Sequence, residues 1–160
     1  RCMATEMLHT YRQDHHAGAA AGIELFRRVA EDHEDPHVRQ VVSRIGDETA
    51  EDLADLEELM TLAGTSPSLL KDLPAKAAEK VGQLKPNRRF AERSPLSDLL
   101  ELEALTLAVT GKKLGFKSLL DIGDPRLPRP TLEKLVERAE EHGRELEKLR
   151  LKCTDALKET

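Results

Sequence analysis

The stretch that decides the fold is PHVRQVVSRIGDETAEDLADLEELMTLA, residues 36–63, preceded by Asp35 and followed by Gly64. Its apolar residues recur every three or four positions, which is the spacing of one face of an α-helix. Asp35-Pro36 is typical of a helix start, because an aspartate accepts a hydrogen bond from a free backbone N–H and proline fits the first turn. Gly64 is favoured just after a helix end. The sequence therefore predicts a helix over 36–63.

Three other stretches follow the same pattern. Ser94-Pro95 repeats the capping signal, and Thr131 is a candidate cap for the last helix. The four predicted helices span about 5–33, 36–63, 95–122 and 131–158. The stripe assigned to the core side of the third helix consists of Leu96, Leu99, Leu100, Glu103, Thr106, Leu107, Thr110 and Leu114.

The connections between the helices run short, long, short. Residues 65–94 form a long, proline-containing connector, with one short helix predicted at about 74–84. Short links join antiparallel neighbours, whereas a long connector is needed only to travel the length of a helix, about 42 Å for 28 residues. The sequence predicts an all-α fold in one domain, 1–160: a ferritin-like antiparallel four-helix bundle with a long helix 2–helix 3 crossover. Cys2 and Cys153 then lie at opposite ends.

Composition excludes several classes of function. The chain has 160 residues, 34% charged and 2% aromatic, with a net charge of −5. That balance argues against a nucleic-acid partner, and no apolar run approaches the ~20 residues needed to cross a bilayer. The chain shows no signal-peptide pattern, and two cysteines are too few for a disulfide framework, so we expect a cytoplasmic protein. A homodimer or another protein partner stays open.

Three stretches carry a resemblance to a known group of proteins. The stretch DHHAGAAAGIELFRR (14–28), the run from Ser94 to Leu105 and the run VTGK (109–112) resemble actinobacterial ferritin-like four-helix-bundle proteins. The resemblance covers most of the chain. It implies the fold, and it implies no activity.

Polar residues on the apolar stripes are the candidate metal ligands. They are His15, Glu48, Asp52, Glu103 and His142. Carboxylates and imidazoles together suit iron or manganese. Ferritin-like metal proteins take a carboxylate from each of two helices and Glu-x-x-His from each of the others. Here the corresponding stretches, Glu48-x-x-Glu51 and Ala139-x-x-His142, are both incomplete.

An alternative to a metal site is a hydrogen-bonded core network, for instance His142 with Glu48, that fixes the helix register. At about 1.5 Å per residue, His15, Asp52 and His142 share one height, whereas Glu48 lies ~6 Å and Glu103 ~12 Å higher. A complete set of metal ligands is therefore hard to assemble. Exposure of some of these side chains is a third alternative.

Two glycines of the first helix, Gly18 and Gly22, indicate either tight packing against Leu105 or Leu107 or a groove for a ligand. Glycine is otherwise costly inside a helix, by about 1 kcal/mol.

Three functions remain open on this sequence. The first is a non-catalytic bundle with a degenerate metal site, acting as a structural or interaction module without a cofactor. The second is a divergent di-metal carboxylate protein that stores iron or manganese or carries out oxygen chemistry. The third is a helical binding module for an apolar ligand or a partner helix. Catalysis is undecided, and the incomplete motifs favour its absence.

Overall fold

Four helices make up the described part of the chain. The computed structural model describes residues 2–64 and 94–158, leaving out the side chains at 2–6, 8, 9 and 12. The helices are α1 (Cys2–Asp32), α2 (Pro36–Leu62), α3 (Pro95–Ile122) and α4 (Arg129–Lys158). The prediction of an all-α chain with four long helices is confirmed, and no strand occurs in these two ranges.

Several predictions fall on residues that the structure does not describe. The connector and its short helix at 74–84 lie outside the described residues, as does the side chain of Cys2. Within the described ranges, none of the helices combines the length and apolar character needed to cross a membrane.

The predicted helix starts at Asp35 and Ser94 are confirmed. The Asp35 carboxylate accepts a hydrogen bond from the N–H of His37 at 2.8 Å, and Ser94 Oγ accepts one from the N–H of Ser97 at 3.2 Å. These bonds satisfy N–H groups that have no partner inside the first turn. Gly123 ends α3 in the left-handed conformation, with φ 66°, which favours glycine.

The predicted cap of the last helix is wrong. Helix α4 begins at Arg129, so Thr131 lies inside its first turn. The carbonyl of Pro128 accepts hydrogen bonds from the N–H groups of Thr131 and Leu132, at 3.1 and 3.3 Å. Pro130 lies in the first turn of α4, where proline is tolerated. The helix therefore starts at Arg129, two residues before Thr131.

The helices enclose a core that has two apolar parts. Helix α1 packs against α2 and α3, and α4 packs against α3 and α2. One apolar cluster surrounds Phe26, Ile45 and Leu146, and the other surrounds Met60 and Phe116. The space between them, at mid-height, is taken by polar side chains.

The core stripe predicted for α3 is wrong. Leu96, Leu100, Leu107 and Leu114 of that stripe are 45, 44, 72 and 55% exposed. The buried positions recur at alternating steps of three and four residues and are Leu102, Leu105, Val109, Lys112, Phe116 and Leu119. Helix α3 carries leucines on two opposite sides, so periodicity alone fits either.

The two glycines of α1 have different surroundings. A Cβ added at Gly22 would lie 3.4 Å from Ala108 Cβ, so Gly22 packs against α3 at an ordinary contact distance, with Ala108 as its neighbour and not the predicted Leu105 or Leu107. A Cβ at Gly18 would meet nothing within 4 Å. Gly18 therefore borders open space beside α3.

Glycine is required at Gly46 by packing. A Cβ there would lie 2.9 Å from Phe26 Cβ, an atom fixed to the α1 backbone. We expect Gly46→Ala to destabilise the protein by about 1–2 kcal/mol, because the strain of overpacking exceeds the gain in helix propensity. Urea denaturation measures the change.

The matched control is Gly143→Ala on α4, where an added Cβ meets nothing within 4 Å. That change should stabilise the protein by roughly 0.5–1 kcal/mol, since it gains propensity without strain. Equal effects at the two glycines would contradict this packing.

Candidate functional site

A buried polar layer separates the two apolar clusters. It consists of Thr49 and Asp52 from α2, Lys112 from α3 and His142 from α4. All four residues are buried, and Lys112 and Asp52 have side chains only 4% and 1% exposed. Burying a charge is costly unless it is paired and hydrogen-bonded. The contacts of these side chains therefore decide what the layer does.

The Lys112 ammonium is the centre of this polar layer. Its Nζ donates to Asp52 Oδ2 at 2.6 Å, to Thr49 Oγ1 at 3.1 Å and to His142 Nδ1 at 3.1 Å. An ammonium group has three N–H donors and no acceptor, so these three partners saturate it. Thr49 Oγ1 in turn donates to the carbonyl of Ile45 at 2.7 Å, which leaves the hydroxyl lone pairs for Lys112.

The tautomer of His142 follows from this contact. Because Lys112 can only donate, His142 Nδ1 accepts, and the ring proton of the neutral imidazole is on Nε2. That N–H donates to Glu48 Oε2 at 2.6 Å. The hydrogen bond predicted between His142 and Glu48 is thus confirmed, and both ring nitrogens are satisfied.

Two arginines surround the carboxylates on the α2–α4 side. Arg44 binds Glu48 at 3.2 Å and also contacts Glu145 of α4. Arg138 Nη1 binds Glu51 at 3.0 Å and lies 3.2 Å from Asp52 Oδ1. The last contact lacks hydrogen-bond geometry, since Asp52 Oδ1 has no hydrogen-bond partner. Arg138 therefore acts on Asp52 mainly through its charge.

Burial sets the titration of the polar layer. It raises the pKa of Asp52, against the opposing charge of Lys112, and it lowers the pKa of Lys112, against the charge of Asp52. Burial, followed by the Lys112 charge, lowers the pKa of His142. Burial also acts to raise the pKa of Glu48, but hydrogen bonds from His142 and Arg44 hold it below the usual value. His142 is therefore neutral, and Glu48 is ionised.

The five predicted metal ligands are only partly brought together. Glu48, Asp52 and His142 meet through the polar layer, with Lys112 between Asp52 and His142. Glu103 is half-buried on α3, beside the apolar cluster that surrounds Phe26, Ile45 and Leu146 and away from the polar layer. Its charge acts on Arg150 of α4. Among the side chains that the structure describes, no three of His, Cys, Asp or Glu are disposed to hold a metal ion.

The fifth predicted ligand, His15, lies beside the polar layer and outside its hydrogen bonds. Its ring packs against Tyr11, with centroids 4.5 Å apart, and covers Gly115, where a Cβ would come within 2.5 Å of His15 Nδ1. His15 and Lys112 both line a cavity of about 20 Å³. That volume is of the order of one water molecule.

Sequence reasoning missed Lys112, Thr49 and Arg138. A signal for Lys112 was present, since it continues the stripe of Leu102, Leu105 and Val109 at helical spacing. Lysine is almost never fully buried unless it is paired, and Lys112 was not among the residues predicted for the core side of α3. Comparisons with family models, curated proteins and solved structures find no match to this chain.

The Lys112–Asp52 pair can be tested by a double-mutant cycle. Lys112→Met leaves the Asp52 carboxylate buried without its cation, which should cost about 3–5 kcal/mol of unfolding free energy. Lys112→Met/Asp52→Leu replaces both charges with apolar groups and should recover more than half of that loss. Urea denaturation of the single and double variants provides the numbers.

The control for the cycle is Lys134→Met, at an exposed position of α4. It should change stability by less than about 0.5 kcal/mol. Additive losses at Lys112 and Asp52 would show that the two side chains do not interact.

The lowered pKa of His142 predicts a pH dependence. Above its ordinary value of 6.5, the imidazole is neutral in both the folded and the unfolded chain. Below that pH the unfolded chain binds the proton first, so the free energy of unfolding should fall as the pH drops from 6.5 towards the folded pKa. The contribution of Glu48 is lost only below its ordinary 4.5, outside this window.

Unfolding free energies at pH 7.5 and 5.5 measure this effect in the wild type and in His142→Gln. The fall should be smaller in the variant, in which the other histidines are unchanged. Equal falls would contradict a lowered pKa at His142.

Proposed function

We propose that this chain is a non-catalytic ferritin-like bundle that acts as a structural or interaction module, and that the Lys112 ammonium stands where a di-metal protein would bind its ions. The observation that carries the proposal is the saturation of Lys112 by Asp52, Thr49 and His142. The kinship with actinobacterial ferritin-like proteins is part of the same proposal.

The order of contacts between helices supports the ferritin-like topology. Between α1 and α3, His15 contacts Gly115 and Gly22 contacts Ala108. The residue number rises along α1 as it falls along α3, so the two helices are antiparallel. Between α1 and α2, His16 pairs with Glu57, and Phe26 lies on Gly46. Helices α2 and α3 are therefore both antiparallel to α1 and parallel to each other. Joining them requires a connection along the bundle, which is the crossover of ferritin-like folds.

The donor set argues against a di-metal centre. Such a centre needs carboxylates from all four helices. Here Asp52 and Glu48 both come from α2, α3 contributes a cation at the centre, and the three hydrogen bonds of that cation go to α2 and α4 and not to α1. Of the donor atoms that remain, Asp52 Oδ2 and His142 Nδ1 are bound to Lys112, and Asp52 Oδ1 faces Arg138 at 3.2 Å. The residues present do not fit two metal ions.

A cytoplasmic setting and a protein partner, including a second copy of this chain, complete the proposal. The free thiol of Cys153 is consistent with a reducing compartment.

Metal analysis of the purified protein tests the proposal. Protein expressed with added iron and manganese should contain far less than one metal ion per chain, and Mn²⁺ should leave its melting temperature unchanged, because a ligand of the native state would raise it. Stoichiometric iron or manganese that is lost in His142→Ala would contradict the proposal.

The variant Lys112→Ala provides the matched comparison. It removes the internal cation and leaves Asp52 Oδ2 and His142 Nδ1 without the partner that they share. We expect Mn²⁺ to raise the melting temperature of this variant and not that of the wild type, since the carboxylates would then lack a counter-charge.

A further inference from the structure

Helix α3 presents a straight row of exposed leucines on its outer side. Leu100, Leu107 and Leu114 follow one another at intervals of seven residues, which turns each by only about 20° relative to the last. Leu96 falls on the same line, and the four side chains, hereafter the leucine line, are 44–72% exposed. Single exposed leucines are ordinary, but an aligned row over ~27 Å of helix is typical of an interaction surface.

The surface on one side of the leucine line is shaped as a groove. The groove lies between α1 and α3 and is lined by Gly18, Ala19, Leu107 and Gly111, among others. Added Cβ atoms at Gly18 and Gly111 would meet nothing within 4 Å. The leucines form a ridge, and the small residues beside them line a groove. Helices pack by placing the ridge of one into the groove of another, and this surface has both.

We propose that the leucine line is the interface of a homodimer in which two α3 helices pack antiparallel about a two-fold axis at Leu107. Leu100 and Leu114 lie seven residues before and after Leu107. A two-fold axis at Leu107 therefore brings Leu100 of each copy to Leu114 of the other. This is the reciprocal pairing that an interface between identical surfaces requires.

The charges along α3 favour the antiparallel arrangement, with Glu103 and Lys117 on the flank nearest the leucine line. Glu101 and Glu103 precede Leu107, whereas Lys113 and Lys117 follow it. Antiparallel pairing sets the acidic half of one α3 against the basic half of the other, and parallel pairing would align like charges. Opposite charges across an interface fix orientation and suppress the wrong alignment.

The size of the surface shows that α3 does not form the interface alone. A strip ~27 Å long and about 10 Å wide covers roughly 270 Å², against about 800 Å² per partner in a stable interface. The flanking surfaces of α1 and α4 must therefore be buried as well. The groove beside Gly18 gives α1 the shape to take part.

This inference deepens the proposed interaction role, and the two can fail separately. A monomer without metal would overturn the dimer and leave the account of the polar layer standing. A dimer that contains stoichiometric iron or manganese would do the reverse.

Sedimentation equilibrium of the full chain gives the first test. The wild type should form a dimer at micromolar concentration, and Leu107→Glu should weaken it at least ~100-fold, because it places two carboxylates together on the two-fold axis. The control, Leu62→Glu, changes a leucine that is 56% exposed on α2, outside the proposed interface, and should leave the dimer intact. Circular dichroism checks that both variants keep their helices.

Disulfide formation tests the position of the axis in a background with Cys2→Ser and Cys153→Ser. Leu107→Cys should cross-link two chains under mild oxidation, since both copies of that residue meet at the axis. Leu100→Cys should cross-link only when it is mixed with Leu114→Cys. A wild-type monomer at 100 µM (about 1.8 mg/ml), a dimer unaffected by Leu107→Glu, or cross-linking of Leu100→Cys to itself would overturn the proposal.

Discussion

The interaction on which the rest of the structure depends is the burial of one ammonium group between three helices. Lys112 is held by Asp52 and Thr49 from α2 and by His142 from α4. Each bond requires a particular height and rotation of its helix, because a shift of one residue moves a side chain by ~1.5 Å and about 100°. The polar layer therefore fixes the register of α2, α3 and α4 in a way that the leucine-rich clusters above and below it do not. Buried ion pairs add little net stability, so its contribution is better described as specificity, which is our hypothesis for this bundle.

The saturation of the polar layer also bears on chemistry. A reactive centre needs a nucleophile, a base or a metal ligand with an unoccupied position. Here the Lys112 donors are all bound, the His142 ring is satisfied on both nitrogens, and Glu48 is held by Arg44. Asp52 Oδ1 has no hydrogen-bond partner, but it is buried and faces Arg138. This is why we propose that the protein acts through its surface and not through this polar layer.

Much of the fold could be predicted from the sequence, and the reasons are local. Asp35-Pro36 and Ser94-Pro95 mark helix starts through hydrogen bonds made within three residues, so no tertiary knowledge is needed. The stripes of α2 and α4 are apolar mainly on one side, with Leu62 and Leu151 as exposed exceptions, so most of their buried faces follow directly. Helix α3 is different, because leucines occupy two of its sides and periodicity cannot tell a core from an interface.

The candidate site was predicted less well than the fold. Glu48, Asp52 and His142 were found because a carboxylate or imidazole on an apolar stripe is unusual. Their common partner was missed, since a lysine is expected to extend to solvent and only the packed bundle shows that Lys112 points inward. A buried cation between acidic and imidazole groups leaves the same sequence pattern as a metal site, with the counter-charge supplied by the chain itself.

Anomalous diffraction from crystals of the wild-type protein soaked with Mn²⁺ tests directly whether Lys112 or a metal ion lies between Asp52 and His142. The account predicts continuous side-chain density for Lys112 reaching Asp52 and His142, with no anomalous peak between them. An anomalous peak bound by Asp52 and His142, with Lys112 turned away, would contradict it.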